Sequence, residues 1–182
     1  MVNKQQIEIR ELAGDLEPGD GITRWFVIYT KSRREKKLAE YAYRRDINYY
    51  LPLQESVRHY KYRKLTFTKP LFPGYIFVKV NDSERQSLII SGHTVSFLKV
   101  RDESEFLSSL RQIYTGREQG AEFHKTEYLE EGTRVKITKG PFTGLTGVVK
   151  NQNNVREVIL QIDLLRQAVS VAVTPEQVSI IE

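Results

Sequence analysis

The basic residues in the first half of the chain are the side chains with the clearest chemical capacity. Residues 24–79 contain fourteen Lys and Arg against four Asp and Glu, a net charge of +10. Residues 1–23 have a net charge of −3 and residues 80–182 a net charge of −2. Concentrated positive charge favours a polyanionic partner, most often nucleic acid, although a solvated, solubilising surface explains charge alone equally well.

Side chains that could catalyse a reaction are scarce. The chain has no cysteine, which excludes disulfides, thiolate metal sites and cysteine nucleophiles. Its three histidines, His59, His93 and His124, lack the paired spacing of metal ligands. There is also no G-x-S-x-G motif, no phosphate loop and no nucleophile–base pair. The sequence therefore predicts a binding protein with no catalytic residues, no metal and no cofactor.

The overall composition is that of a globular protein. Hydrophobic residues make up 40% and charged residues 28% of 182 residues, which suggests one domain or two small ones. No apolar run approaches the roughly 18 residues of a membrane span, and the N-terminus has no apolar signal segment. We expect a soluble cytoplasmic protein without a membrane partner.

The elements that must position the basic residues begin after an acidic N-terminal segment. Residues 1–23 end in a Pro- and Gly-rich turn and are interpreted as a tail or an added edge segment. Residues 24–29 are apolar on both faces and predict a covered strand. Ser32 and Glu35 have the spacing of a capping box, which predicts a helix that runs to about Arg45.

The rest of the first domain alternates strands and helices in the order βαβββαβα, which predicts a layered α+β fold. The later elements are predicted at residues 47–51 (strand), 55–63 (hairpin arm), 75–80 (strand), 82–91 (helix), 94–100 (strand) and 103–113 (helix). In strand 75–80, Ile76, Val78 and Val80 share one face. Tyr75 and Phe77 share the other, where we expect both rings to be exposed.

The last third of the chain changes to a purely β pattern. Residues 115–128 are mostly polar without a clear period and predict a linker. Residues 129–182 contain five short apolar strands separated by glycine turns, which predict a small barrel. This barrel has six basic and six acidic residues, so it gains little from attraction to phosphates.

Two motifs resemble those of one family. The first, Gly132-x-x-Val135-x-Ile137-x-x-Gly140-Pro141-Phe142-x-Gly144-x-x-Gly147-x-Val149, resembles the KOW motif of SH3-like barrels. The second, Lys69-Pro70-Leu71-Phe72-Pro73-Gly74-Tyr75-Ile76-Phe77-Val78, follows Trp25-Phe26-Val27-x-Tyr29 by about 45 residues. Together they resemble the NusG family of transcription elongation factors over residues 24–182. Pro70-Leu71-Phe72-Pro73-x-Tyr75-x-Phe77-Val78, and Arg33-x-Glu35-Lys36-Lys37 followed by Tyr50-Leu51-Pro52, look most like the specialised RfaH and UpxY-type antiterminators.

This resemblance implies a domain organisation and a function. Residues 24–114 would form a NusG-type domain with an antiparallel sheet and flanking helices. Residues 115–128 would link it to a KOW domain at residues 129–182. A monomer is expected to bind RNA polymerase at its clamp helices and gate loop, to contact the non-template DNA strand, and to suppress pausing or termination.

The resemblance also implies site residues for each contact. The clamp-helix pocket is expected at Trp25, Phe72, Tyr75, Phe77, Phe97 and Val100. The gate-loop contact is expected at Ser87, Leu88 and Ile89, and the DNA contact at Lys31, Arg33, Lys37, Arg44 and His93. For each set, a structural role in the core or a solvated surface is the alternative interpretation.

The KOW domain is expected to bind a ribosomal protein or termination factor Rho. Phe142, Leu164 and Leu165 are the candidate contacts, because two adjacent leucines at a turn are hard to bury together. NusG has an aromatic residue followed by glycine in this loop, and the chain departs from that pattern, which puts Rho binding in doubt. The alternative function is an RNA-binding or ribosome-associated KOW protein. It predicts a basic barrel, whereas this barrel is neutral.

Overall fold

The computed structural model describes residues 9–150 and 155–181, so residues 1–8 of the predicted N-terminal segment lie outside it. The chain divides into two compact units, one up to Arg101 and the other from Asp102 onward. The predicted α+β class is confirmed: three α-helices and antiparallel sheets are found within the described ranges. No helix in these ranges is both long and apolar enough to cross a membrane.

The first unit contains a five-stranded sheet packed against two helices, and a separate two-stranded hairpin. Its elements are β1 (Leu12–Ala13), β2 (Arg24–Thr30), α1 (Glu35–Tyr43), β3 (Asn48–Tyr50), β4 (Leu53–Tyr60), β5 (Arg63–Pro70), β6 (Tyr75–Val80), α2 (Asp82–Ile90) and β7 (Thr94–Lys99). Five strands form an antiparallel sheet in the order β1-β3-β6-β2-β7, and β4 pairs with β5 alone. The apolar face of this sheet forms a core with α1 and α2, in which Ile76, Val78, Leu38 and Leu88 are almost completely buried.

Helix α1 does not begin as the sequence predicts. The predicted Ser32 cap is wrong: the helix begins at Glu35, and its N-cap residue is Arg34, whose side chain makes no capping hydrogen bond. Arg33 adopts a left-handed conformation with φ of 58°. The Glu35 carboxylate is buried and accepts a hydrogen bond from the Gly74 N–H at 2.6 Å. A buried carboxylate requires a donor, and the amide of a distant loop supplies it in place of a local cap.

The predicted hairpin arm, β4, pairs with a second strand, β5, which the sequence does not predict. Strands β4 and β5 pair antiparallel over eight residues each, from the Leu53–Pro70 pair to the Tyr60–Arg63 pair. The sequence analysis missed β5 because only Leu65 and Phe67 interrupt its polar and charged residues. Without a buried face, a strand lacks the alternation by which it is recognised.

The second unit joins one helix to a six-stranded antiparallel sheet. Its elements are α3 (Glu103–Glu118), β8 (His124–Thr126), β9 (Thr133–Ile137), β10 (Thr146–Val149), β11 (Glu157–Ile162), β12 (Gln167–Ala172) and β13 (Val178–Ile180). The order is β13-β9-β10-β11-β12-β8, and it includes all five strands predicted from the sequence. Gly144, with φ of 100°, lies in the turn before β10, where a positive φ favours glycine.

Helix α3 is longer than predicted and groups with the second unit. It extends to Glu118, and β8 pairs with β12, so part of the predicted linker is ordered secondary structure. Phe123 contributes to this order, because its buried ring packs against Gly116 and leaves no room for a Cβ atom there. The domain boundaries of the sequence analysis stay a prediction.

Candidate interaction surfaces

The face of the first sheet opposite the α1–α2 core is aromatic. Strand β6 pairs with β2 so that Tyr75 lies opposite Tyr29, and Phe77 lies opposite Val27. On its other side, Phe77 lies opposite Tyr50 of β3. Paired residues in antiparallel strands project to the same face, so Tyr29, Tyr50, Tyr75 and Phe77 share this surface, as the alternation in β6 predicts.

Most of the predicted clamp-helix residues on this face are buried. Phe77 has no exposed surface, Phe72 is 2% exposed and Trp25 is 1% exposed. The expectation that the Phe77 ring is exposed is therefore wrong. The ring packs against Phe72 and Tyr50 at centroid distances of 6.0 Å and 6.2 Å. The Trp25 indole N–H donates to the Glu17 carbonyl at 2.8 Å, which satisfies its one polar atom.

The accessible aromatic residues on this face form a tyrosine pair, Tyr29 and Tyr75. Their ring centroids are 5.4 Å apart, with an interplanar angle of 44°. Tyr29 is 44% exposed, and Tyr75 is half-buried. Gly74 lies beneath the pair, because a Cβ atom there would be 3.1 Å from Cε2 of Tyr29. The sequence analysis assigned Tyr75 but not Tyr29, although Tyr29 stands in the motif and could have been found from the strand register.

Two other residues predicted for the same pocket lie elsewhere. Phe97 pairs with Ile28, which places it on the helix-covered face, where its ring contacts Phe26 edge-on at 5.8 Å. Val100 is buried just beyond the end of β7. The structure therefore does not place Phe97 with the tyrosine pair, since neighbouring positions in a strand alternate between faces.

The predicted gate-loop residues differ in accessibility. Leu88 has no exposed surface and belongs to the core under α2. Ser87 lies 3.3 Å from the Tyr41 hydroxyl, within hydrogen-bonding distance. Ile89 is 44% exposed and the unassigned Ile90 is 71% exposed, so these two side chains form the accessible apolar surface at this end of the helix.

Three basic residues at the start of α1 lie near a histidine that precedes β7. Together they are named the cationic cluster, which comprises Lys31, Arg34, Lys37 and His93. The Lys31 N–H donates to the His93 carbonyl at 2.9 Å, which joins the end of β2 to the start of β7. Burial, followed by the charges of Arg34, Lys37 and Lys31, lowers the pKa of His93 below its usual value of 6.5. The structure thus brings together three of the five predicted DNA-binding residues and adds Arg34.

The other two predicted DNA-binding residues are outside the cluster. Arg33 is exposed beside it, in the left-handed conformation. Arg44 lies at the opposite end of α1 and forms a 2.6 Å ion pair with Glu40, one turn earlier. This pair offsets part of the positive charge that Arg44 would present to a phosphate.

The lowered pKa of His93 makes the stability of the fold depend on pH in a defined direction. The imidazole is neutral at neutral pH and becomes charged only below its lowered pKa. The unfolded chain binds this proton more readily than the folded chain does. The contribution of His93 to the free energy of unfolding is therefore fully present above pH of about 6.5 and is lost as the pH falls. A bound phosphate would reverse the effect by stabilising the charged imidazole.

We expect the His93 pKa to rise in the variant K31Q/R34Q/K37Q, because the three charges that disfavour its protonation are removed. The rise should be partial, since burial remains as the largest cause. Titration of the imidazole C–H protons by NMR measures it, with R44Q as a single-residue control outside the cluster. An unchanged His93 pKa in the triple variant would show that the four side chains do not interact in solution.

Residues 23–115 match the family model described as NusG, transcription termination factor, and this match covers just over half of the chain. The chain belongs to the NusG family. This is a family of transcription factors rather than enzymes, and the protein is a NusG-type transcription elongation factor.

A solved structure of the MjSpt4:Spt5 complex in conformation B is similar to this chain at 19% identity, with a TM-score of 0.29. The similarity covers 86% of this chain and 96% of that chain. No curated protein is similar enough to count as a relative.

In this NusG-family chain, the loop of the second unit that is predicted to bind a partner is a short turn held by side-chain contacts. Asp163–Leu165 form a 3-10 helix that ends at Arg166, which has a left-handed φ of 49°. The Tyr128 hydroxyl donates to Asp163 at 2.8 Å, and the Arg166 guanidinium lies 5.1 Å from the Tyr128 ring centroid. Leu164 is 39% exposed, whereas Leu165 and the other candidate, Phe142, are half-buried.

Proposed function

We propose that the protein binds transcribing RNA polymerase through its tyrosine pair, contacts the non-template DNA strand through its cationic cluster, and thereby suppresses pausing or termination. One observation supports this most strongly. The Thr30 N–H donates to the Gly74 carbonyl at 2.8 Å, and the next amide, of Lys31, donates to His93 at 2.9 Å. These two consecutive hydrogen bonds join the loop beneath the tyrosine pair to the cationic cluster at the end of β2.

The tyrosine pair has the properties of a protein-binding hot spot. Two adjacent, partly exposed aromatic rings provide a large apolar contact area at low entropic cost, and their hydroxyl groups tolerate a hydrated rim. The expected partner is the clamp helices of the polymerase. A factor that contacts both sides of the cleft only when the clamp is closed shifts the population towards that state and forms or breaks no covalent bond. The exposed Ile89 would make the second contact, at the gate loop.

The cationic cluster is suited to a single DNA strand. Lys and Arg side chains position a phosphate backbone but supply little sequence information. A base preference would require a different side chain, and His93 is the cluster member able to donate to or accept from a base edge. Such sequence readout fits a specialised antiterminator of the RfaH or UpxY type.

The second unit would then supply the protein partner. Its exposed apolar Leu164 lies on a turn fixed by the Tyr128–Asp163 hydrogen bond, and residues 129–182 have no net charge. An apolar side chain on an ordered surface without net charge favours a protein over a nucleic acid. A ribosomal protein is the expected partner in preference to Rho, because this loop lacks the aromatic–glycine pair that NusG has there. Residues 129–182 of this unit are the predicted KOW domain.

A pause-escape assay on purified elongation complexes tests this function. The wild-type protein should shorten the dwell time at a pause site at which the non-template strand is accessible. The K31Q/R34Q/K37Q variant should require a higher concentration for the same effect, because at constant polymerase binding it loses up to three phosphate contacts. R44Q, with its ion-paired guanidinium, should behave almost as the wild type. Unchanged dwell times at saturating wild-type protein would contradict the proposed function.

A further inference from the structure

We propose that the β4–β5 hairpin is a separate binding site for duplex DNA, which it enters as a two-stranded ribbon in the major groove. This basic hairpin comprises residues 53–70, which contain five Lys and Arg and a single acidic residue, Glu55. Both strands pair only with each other and not with the five-stranded sheet. The predicted DNA-binding residues, which lie within or next to α1 and at His93, are all outside it.

The charges of the basic hairpin are divided unequally between its two faces. Arg58 pairs with Leu65, Lys69 with Gln54, and Arg63 with Tyr60, which puts three cations and no carboxylate on one face. The other face contains Glu55 together with Lys64 and His59, so its charges nearly cancel. A polyanion is therefore attracted to one face of the ribbon, here named the Arg58 face.

Ion pairs do not explain three of the hairpin's basic residues. Arg58, Lys64 and Lys69 are exposed and form no ion pair within residues 9–150 and 155–181. The Arg58 guanidinium lies 5.1 Å from the centroid of the Phe67 ring. This stacking restricts the side chain while its N–H groups remain available to a phosphate. At the tip, Tyr62 is 89% exposed.

The shape of the hairpin selects the kind of nucleic acid. Strands of eight residues extend about 23 Å at roughly 3.3 Å per residue, which corresponds to about seven base pairs of B-DNA. The major groove of B-DNA, about 12 Å wide, admits a two-stranded ribbon. The major groove of duplex RNA is too narrow for one, and a single strand is usually bound in a concave, aromatic-lined groove rather than on a convex ribbon.

The base of the hairpin is held firmly, so the ribbon projects in a defined direction. The Lys36 ammonium group donates to both the carbonyl and the hydroxyl oxygen of Thr68, each at 2.6 Å. Next to it, the Leu71 N–H donates to the Pro52 carbonyl at 2.8 Å. A fixed base reduces the entropic cost of placing the ribbon in a groove.

Fluorescence anisotropy with the full chain tests this proposal, without polymerase. The probes are a mixed-sequence 20-base-pair DNA duplex, the corresponding RNA duplex, and one DNA strand alone. For the DNA duplex, the variant R58Q/R63Q/K69Q should bind at least about tenfold more weakly near 0.1 M salt. Its slope of log K against log salt should be shallower by up to about 2.7, at 0.9 for each lost phosphate contact. The control K125Q/K136Q/K139Q removes the same charge from exposed lysines of the second unit and should leave the slope nearly unchanged.

Each outcome decides for or against the basic hairpin. Equal losses of affinity in the two triple variants would overturn the proposal, because they would show a general charge effect. So would an equal or larger loss of affinity in R58Q/R63Q/K69Q for the RNA duplex or for the single strand. The variant R58K/R63K retains the charge and should keep most of the salt slope, which separates lost phosphate contacts from a disturbed fold. Because no polymerase is present, failure here leaves the proposed function standing, and success does not depend on it.

Discussion

Replacing Tyr29 and Tyr75 together with alanine is expected to lower the affinity for RNA polymerase about 30- to 1,000-fold, which corresponds to about 2–4 kcal/mol of a binding hot spot. The physical reason is their position: they are the accessible rings of an otherwise buried aromatic face, 5.4 Å apart and directly opposite in the strand register. Co-purification with polymerase, followed by titration of labelled protein, measures the loss. The free protein should keep its unfolding midpoint to within a few degrees, since Tyr29 is 44% exposed and Tyr75 is half-buried.

Tyr43 provides the matched control for this prediction. It is 42% exposed, almost the same as Tyr29, but it lies on α1, which covers the opposite face of the sheet. Y43A should bind polymerase as the wild type does, and Y29F/Y75F should retain most of the affinity because the rings remain. If Y43A and Y29A/Y75A bind equally well, the tyrosine pair is not the polymerase contact.

Replacing Phe77 with alanine is expected to destabilise the fold rather than to remove a binding contact. The ring has no exposed surface and packs against Phe72 and Tyr50, so its deletion leaves a cavity. Buried Phe-to-Ala changes cost about 3–5 kcal/mol of the free energy of unfolding. Urea unfolding followed by circular dichroism measures the cost, which is large compared with the stability of a typical domain.

The variant F77L, which removes less volume than F77A, separates packing from binding. It fills much of the cavity and should recover most of the stability, and with it polymerase binding. A folded F77A with unchanged stability and lost polymerase binding would contradict the structure and restore the interpretation of Phe77 as an exposed contact.

The sequence predicts the strands of this fold well where one face is apolar. Alternation in strand β6 correctly places Ile76 and Val78 on one face and Phe77 on the other, because the side-chain period of a strand is fixed at two. All five strands predicted after residue 129 are present for the same reason. Strand β5 was missed, because both of its faces are largely exposed and polar.

The sequence predicts less well which residues cover the face of a sheet and which groups form hydrogen bonds with the end of a helix. Periodicity assigns Phe77 to a face but does not show what covers that face, so the expected exposure of its ring is wrong. The capping box predicted at Ser32 is wrong because the Glu35 carboxylate instead accepts a hydrogen bond from the amide of Gly74, 39 residues away. The tyrosine pair depends on the β2–β6 register, and the cationic cluster on the approach of His93 to Lys31. These are long-range pairings, which one sequence does not specify locally.

The hydrogen bond between Glu35 and Gly74 also has a thermodynamic consequence. It ties the first turn of α1, beside Lys37, to the loop beneath Tyr75, so displacement of either element strains the other. Where binding at one such position changes the affinity at the other, the effect is reciprocal, and it is typically about 5- to 150-fold. Under the proposed function, such a factor would respond to DNA and polymerase jointly and would remain longest on complexes that offer both at once.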